Sequence, residues 1–305
     1  MYKYRHKSLE FLKNGEIVLF VSIKLRKAGC AVIILTLIVS AMAVVFIPSE
    51  VTAQEREGIK VPIIMYHSIL KDEAMWGDYV LSPVELEKDI VYLKNNGYEA
   101  VFVSQLIDYV EKGKELPEKP VILSFDDGSY NNLTYVLPLL KKYGFKATFS
   151  VVGKYSEVAC EDAEPSPDYS YLDWKDIKKL MESGYVEIAN HSYNMHSLEG
   201  RRGSSINDGE SYEDYRQAFY NDTFKTQHLL EDNCGFTPDV YTYPYGLVCD
   251  ASRHLVKSCG FKASLGVEEK MNYICQGDSD CLYDMYRYNR TAFESTEDFM
   301  ERLLG

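Results

Sequence analysis

From residue 61 onward the chain alternates between two hydrophobic rhythms. Short apolar runs rich in Val, Ile and Phe predict strands at Val61–His67, Tyr98–Val103, Val121–Phe125, Lys146–Val152, Val186–Asn190, Val240–Tyr243 and Lys262–Leu265. Between them, apolar positions return every three or four residues, which predicts helices from Ser82 to about Asn95, over Gln105–Glu111, Asn131–Tyr143, Trp174–Ser183, Tyr212–Glu231, around Ala251–Ser258, and over Ser295–Leu304. The punctuation agrees: Ser82 and Glu85 have capping-box spacing with Pro83 between them, and Gly144 and Gly184 follow the ends of two helices. Residues 155–172 and 198–212 are polar and read as inserted loops. In Val121-Ile-Leu-Ser-Phe125 the apolar residues are nearly consecutive, as expected of a strand covered on both faces. Strand and helix in alternation over about 250 residues, with no sequence repeat, predict an α/β barrel.

The amino-terminal segment is of another kind. Ala28–Ile47 carries no charge and is long enough as a helix to cross a bilayer of roughly 30 Å. Seven basic residues against two acidic ones lie in residues 1–28, so the positive-inside rule predicts a cytoplasmic basic segment, a single-pass anchor at 28–47, a linker at 48–60, and an extracellular domain from 61 to 305. A cleaved signal peptide is the competing reading, with small residues at Ser40–Ala43 as its cleavage site. Setting residues 1–28 aside leaves 26 basic against 44 acidic residues, a charge of about −18 that argues against nucleic acid as a partner. Of seven Cys, six lie beyond the apolar run, where an oxidising compartment makes disulfides plausible; Cys275 and Cys281 flank a short loop, whereas Cys249 and Cys259 bracket a helix about 15 Å long and are not expected to pair.

Polar chemistry gathers at the predicted strand ends. Asp126 and Asp127 close the Val121 strand before a Gly, where one carboxylate could act as base while its neighbour holds a metal; a solvated turn is the plain alternative. His191 and His196 follow the Val186 strand, and with Asp127 they make a two-His, one-carboxylate set suited to a divalent metal with open positions. On a regular helix residues five apart diverge by about 140°, so both imidazoles can face one ion only from a loop or bulged turn. Tyr241-Thr-Tyr-Pro-Tyr-Gly246 ends the next strand, and its turn could aim a backbone N–H at an oxyanion or simply close the barrel. His67 ends the first strand.

Together these clusters resemble the polysaccharide deacetylases, the NodB-like family also called carbohydrate esterase family 4, over about residues 61–290. Ser124-Phe-Asp-Asp-Gly128 is similar to the family's Thr-Phe-Asp-Asp-Gly motif, which implies Asp126 as catalytic base and Asp127 as metal ligand. The His191–His196 spacing is one residue longer than the family's usual His-to-His interval, leaving Met195 at the usual ligand position; it resembles the branch that deacetylates poly-N-acetylglucosamine, in which the later His is the ligand. That branch implies a distorted, seven-stranded, circularly permuted (β/α) barrel, with His67 in Met65-Tyr-His67 supplying the catalytic acid. The family's base-tethering Arg is replaced by Thr242, and Arg287 or Arg290 are the candidates to substitute, Arg287 being preferred. Tyr243, Pro244 and Tyr245 would contact substrate, with the N–H near Tyr245 in the oxyanion site. The resemblance thus implies an N-deacetylase of N-acetylglucosamine units in an extracellular or cell-wall polysaccharide, using Zn²⁺ first and Co²⁺, Fe²⁺ or Ni²⁺ as other choices. An O-acetyl esterase on xylan or another glycan, and a non-catalytic glycan-binding relic, are the alternatives; a carboxylate-pair glycosidase would have no need of the two histidines.

Overall fold

The computed structural model describes residues 58–305 in full, together with the backbone of two short strands near the amino terminus, β1 (Phe11–Lys13) and β2 (Glu16–Val18), which pair antiparallel. Residues 1–55 form one compact unit and residues 56–305 another. The apolar run Ala28–Ile47 lies outside the described residues, and among the described residues no helix is long and apolar enough to cross a membrane.

The larger unit is built on a parallel sheet. Its strands are β4 (Ile63–Tyr66), β7 (Glu99–Ala100), β8 (Pro120–Phe125), β9 (Ala147–Val151), β10 (Val186–Asn190), β11 (Val240–Thr242), β12 (Ala263–Leu265) and β14 (Tyr288–Asn289). They run in the order β12-β11-β10-β9-β8-β4-β14, with β7 paired to β8. Strands outside the sheet are β3 (Ile59–Val61) paired with β13 (Asn272–Ile274), and β5 (Ser68–Ile69) paired with β6 (Val80–Leu81). The first and last strands of the sheet path by chain position, β4 and β14, lie side by side. Just before β14, Met285 also bridges to Leu265 in β12 and exchanges two backbone hydrogen bonds there, so the stretch 285–289 reaches both edges of the curled sheet. This is the α/β architecture expected from the alternation of strand and helix.

Around the sheet stand α1 (Pro83–Asn95), α2 (Val103–Lys112), α3 (Leu137–Tyr143), α4 (Gly153–Ala159), α5 (Trp174–Glu182), α6 (Tyr212–Cys234), α7 (Asp250–Ser258) and α8 (Thr296–Leu304). Ser82 caps α1 by accepting the Glu85 N–H at 3.0 Å. In β8 every residue is buried, with Val121, Ile122, Leu123 and Phe125 fully so, which explains the unbroken apolar run. Burying those four side chains stabilises the sheet by roughly 1.5–3 kcal/mol each.

Local departures from the sequence pattern have physical causes. The strand expected at Tyr98–Val103 shrinks to Glu99–Ala100 because Val103 already begins α2, whose first N–H groups donate to the Glu187 carboxylate from Val103 at 2.6 Å and Ser104 at 3.3 Å. The helix expected over Asn131–Tyr143 begins as a π-helical turn, Asn132–Val136, before α3; Pro138, at the start of α3, has no N–H to donate back into the preceding turn. Residues 153–159, partly assigned to a loop, form α4. Cys249 and Cys259 sit at opposite ends of α7, which keeps them apart as expected.

Candidate active site

Three non-glycine residues adopt left-handed backbone where strands of the sheet end: Asp127 (φ 71°) after β8, Ser192 (φ 69°) after β10, and Tyr245 (φ 55°) after β11. Such conformations cost of order 1–3 kcal/mol each and persist only where surrounding contacts impose them. All three turns open on one cleft of about 370 Å³, lined by His67, Asp126, Asp127, His191, His196 and Tyr245 among others.

Asp126 is 2% exposed and is gripped by Arg287, which is wholly buried: Nη1 lies 2.8 Å from Oδ1 and Nη2 lies 2.9 Å from Oδ2. The guanidinium also donates to the Gly266 carbonyl at 2.6 Å and the Ser124 hydroxyl at 3.2 Å. A two-pronged pair of this kind fixes the carboxylate plane. Burial would raise the Asp126 pKa, but Arg287 and the nearby imidazoles outweigh it and hold the carboxyl below its ordinary value. Arg290, the other candidate, is committed elsewhere. Its Nε donates to Asp89 at 2.9 Å inside a buried network that also receives the Tyr66 and Thr296 hydroxyls. The Thr242 hydroxyl is engaged with Ser150 at 2.8 Å rather than with Asp126.

Asp127, His191 and His196 converge. The Nε2 atoms of His196 and His191 stand 3.0 and 3.6 Å from Asp127 Oδ1, a buried oxygen without a well-directed hydrogen bond. The ligand atoms all lie within 4.8 Å of one another; one divalent ion about 2.0–2.2 Å from each needs them within about 4.4 Å, so small side-chain rotations complete the set. The Nδ1 of His191 faces the Thr242 carbonyl at 2.8 Å and that of His196 faces the Tyr155 hydroxyl at 3.3 Å, so in each ring the other nitrogen is turned toward Asp127. Burial lowers the His191 pKa, but Asp127, Asp126 and the Thr242 carbonyl raise it further, leaving it above the usual histidine value. With Asp126 balanced by Arg287, the remaining carboxylate gives the cleft a net pull for a cation. The donor set therefore fits a divalent metal. The intervening residues form a loop, as the five-residue interval requires, and Met195 turns away into a core cluster with Tyr241 and Phe219.

His67 follows β4, and the Asp126 N–H donates to the neighbouring Tyr66 carbonyl at 3.0 Å, which places the two side chains on adjacent strand ends. Its Nδ1 is buried with no hydrogen-bond partner, and its ring packs edge-on to Tyr79 with centroids 4.7 Å apart. Burial lowers its pKa despite the attraction of Asp126 and Asp127. Of the aromatic turn, Tyr243 and Pro244 are buried, Tyr243 packing edge-on to Tyr241, while Tyr245 is 42% exposed with its ring 4.4 Å from that of His196. The Gly246 N–H is used within the turn, donating to the Tyr243 carbonyl. Tyr155 and Tyr171, whose rings pack at 4.4 Å near His196, were not singled out from sequence because they lie in a stretch read as a featureless loop.

Comparison with known proteins gives the family and the fold. Residues 113–264 match the family model described as polysaccharide deacetylase. The chain is 25% identical over 277 residues to the poly-beta-1,6-N-acetyl-D-glucosamine N-deacetylase of Escherichia coli K12, covering 82% of this chain and 41% of that protein. It is 27% identical over 194 residues to the protein of the same name from Staphylococcus aureus MRSA252, covering 63% of each, so the chain spans less than two thirds of the length of these relatives. A solved de-N-acetylase from Aggregatibacter actinomycetemcomitans superposes with a TM-score of 0.67 at 25% identity, covering 80% of this chain and all of that one. IcaB from Ammonifex degensii superposes at 0.65 with 21% identity over 81% of this chain and 97% of that one, a likeness of fold. The matched segment holds Asp126, Asp127, His191, His196 and the Tyr243–Gly246 turn, while His67 and Arg287 come from its flanks; residues 113–264 thus belong to the polysaccharide deacetylase family.

Proposed function

We propose that this chain is a metal-dependent N-deacetylase acting on N-acetylglucosamine units of a polysaccharide. The observation that carries the reading is the single cleft in which an Arg287-locked carboxylate, a three-ligand set and a spare imidazole meet. Asp127, His191 and His196 hold the metal, with Zn²⁺ the first choice for two imidazoles and a carboxylate. Bound there, a divalent ion supplies Lewis acidity toward the acetyl carbonyl and the attacking water. Asp126, kept ionised by Arg287, takes the water's proton. The Tyr245 N–H, presented by its left-handed turn, is the protein's donor to the developing oxyanion. His67 delivers a proton to the departing amine; its lowered pKa makes it a stronger acid at the cost of its protonated fraction near neutrality. Tyr245 and the face of Tyr79 offer exposed rings to the sugar.

An amide needs that proton far more than an ester does, so a placed acid favours N- over O-deacetylation. The names of the relatives favour poly-N-acetylglucosamine as the polymer. A polymer outside the cell also suits the outward topology expected from the basic residues ahead of Ala28–Ile47. Mass spectrometry of N-acetylglucosamine oligomers incubated with the protein tests this: each reacted unit exchanges its acetyl group for a hydrogen, the mass loss stops with a chelator, and it returns with added Zn²⁺. Unchanged oligomers beside deacetylated O-acetyl xylan would overturn the amide reading in favour of the esterase.

A further inference from the structure

The segment from His191 to His196 has no regular secondary structure, yet it carries two of the three ligands proposed above, so its shape must be imposed from outside. Four consecutive N–H groups in it each meet a side-chain oxygen. Ser192 donates to Asn190 Oδ1 at 2.8 Å, Tyr193 to Asp222 Oδ1 at 2.7 Å, Asn194 to Asp222 Oδ2 at 2.8 Å, and Met195 to Ser192 Oγ at 3.2 Å. The carbonyls of Ser192 and Tyr193 accept from the N–H groups of Gly153 and Lys154 at the start of α4, both at 3.0 Å. Of these acceptors, Asn190 and Ser192 are local to the loop. Asp222 comes from the middle of α6 and holds two successive N–H groups with its two oxygens.

Outside a helix, two neighbouring N–H groups can point the same way where the backbone changes hand, as it does here at Ser192 (φ 69°). A carboxylate spanning both keeps that turn from relaxing. The same helix reinforces the anchor: Asn190 donates to the Thr223 carbonyl at 3.1 Å and to Gln227 Oε1 at 3.2 Å, so the strand end and the loop that follows are tied to one face of α6. Nothing in the chemistry assigned to the cleft uses Asp222.

We infer that Asp222 is a positioning residue of the metal centre: its carboxylate sets the turn that brings His191 and His196, five residues apart, onto one ion. This rests on the reading of Asp127, His191 and His196 as metal ligands. An Asn at 222 keeps one acceptor but turns an N–H₂ toward a backbone N–H, so the turn loses one tie and gains a repulsion.

The test is Zn²⁺ affinity of the full chain, titrated against a competing chelator, with circular dichroism melts run in parallel. Asp222→Asn and Asp222→Ala should weaken Zn²⁺ binding by about tenfold or more, as losses of ligand-orienting partners do. In a His196→Ala background, where there is no second imidazole left to place, the same Asp222→Asn change should cost at most about threefold, since the coupling between interacting sites has been removed. Equal losses in both backgrounds would overturn the inference, because a general destabilisation of the loop acts whether or not His196 is present. Affinity unchanged in Asp222→Asn while His191→Ala loses the metal would overturn the positioning role alone. Full metal content in His191→Ala would overturn the site and this inference with it. Should Asp222→Ala fail to fold, Asp222→Asn in the two backgrounds still decides.

Discussion

At the scale of single residues the cleft gives two titratable groups, Asp126 and His67, opposite environments. Asp126 is held ionised by a guanidinium that is itself fully buried, whereas His67 has no partner at Nδ1 and an environment that disfavours its charge. If His67 is the proton donor, His67→Ala should fold and bind metal normally, and lose most amide hydrolysis, by about 10²–10⁴ as is typical of a general acid, while an activated acetyl ester suffers much less. An equal loss on both substrates, measured as kcat/KM, would remove His67 from that role. The Asp126 pair also makes a statement about acid stability. A carboxyl whose folded pKa lies below its unfolded value of about 3.9 contributes stability above that pH and loses it as pH falls through the folded value. The melting temperature should therefore fall more steeply below about pH 4 in the wild-type chain than in Asp126→Asn, which is less stable at neutral pH but has no such proton to take up. Parallel declines in the two proteins would show that the pair does not carry this linkage.

At the scale of elements, the placing of Arg287 depends on β14, a two-residue strand that no hydrophobic rhythm announces. Its position is secured by what flanks it. The Arg287 N–H donates to the Glu268 carbonyl and the Arg290 N–H to the Met65 carbonyl, each at 3.0 Å. The Arg290 side chain then pairs with Asp89 in α1 and contacts Thr296 at the start of α8, all fully or nearly buried. Asp89→Ala leaves that guanidinium without its carboxylate. It should cost about 3–5 kcal/mol in denaturant melts, the range for breaking a buried ion pair from one side. Because the stretch carrying Arg287, just ahead of β14, is released at one end, kcat should fall as well in the fraction that remains folded. Stability lost with kcat unchanged would show that β14 keeps its register without the Arg290 clamp. The His191–His196 loop follows the same logic, with α6 as its support.

At the scale of the whole described domain, the parallel sheet gathers chemistry from residues far apart in the chain. Asp126 and Arg287 are separated by 161 positions, and the two meet because β4 lies between β8 and β14. The cleft opens at the carboxyl ends of the strands, where the side chains stop being needed for packing and the turns are free to adopt left-handed backbone. The terminal helix α8, expected to serve packing, buries Phe299, Met300 and Leu303 in the main core and supplies Thr296 to the Arg290 network.

Much of this was legible along the chain because it depends on neighbours in sequence. Consecutive apolar residues marked β8, the Ser82 cap and the Gly stops bounded helices, and Asp126, Asp127, His191, His196 and His67 announced themselves as polar groups at the ends of apolar runs. Their motifs carried the family resemblance, and the interval between the two histidines required a loop before any loop was seen. Sequence alone supplied no physical ground for preferring Arg287 to Arg290, since both sit in one short stretch and only the curl of the sheet decides which guanidinium faces Asp126 and which faces Asp89. Asp222 and Tyr155 left no sign in the pattern at all, one being a polar residue on a long polar helix and the other a Tyr in an acidic stretch. Periodicity reports which side of an element is buried; it does not report which element stands opposite. Long-range pairings such as Asp222 with the Tyr193 and Asn194 N–H groups come into being only when the sheet order and the helix packing bring distant backbone to within hydrogen-bond reach.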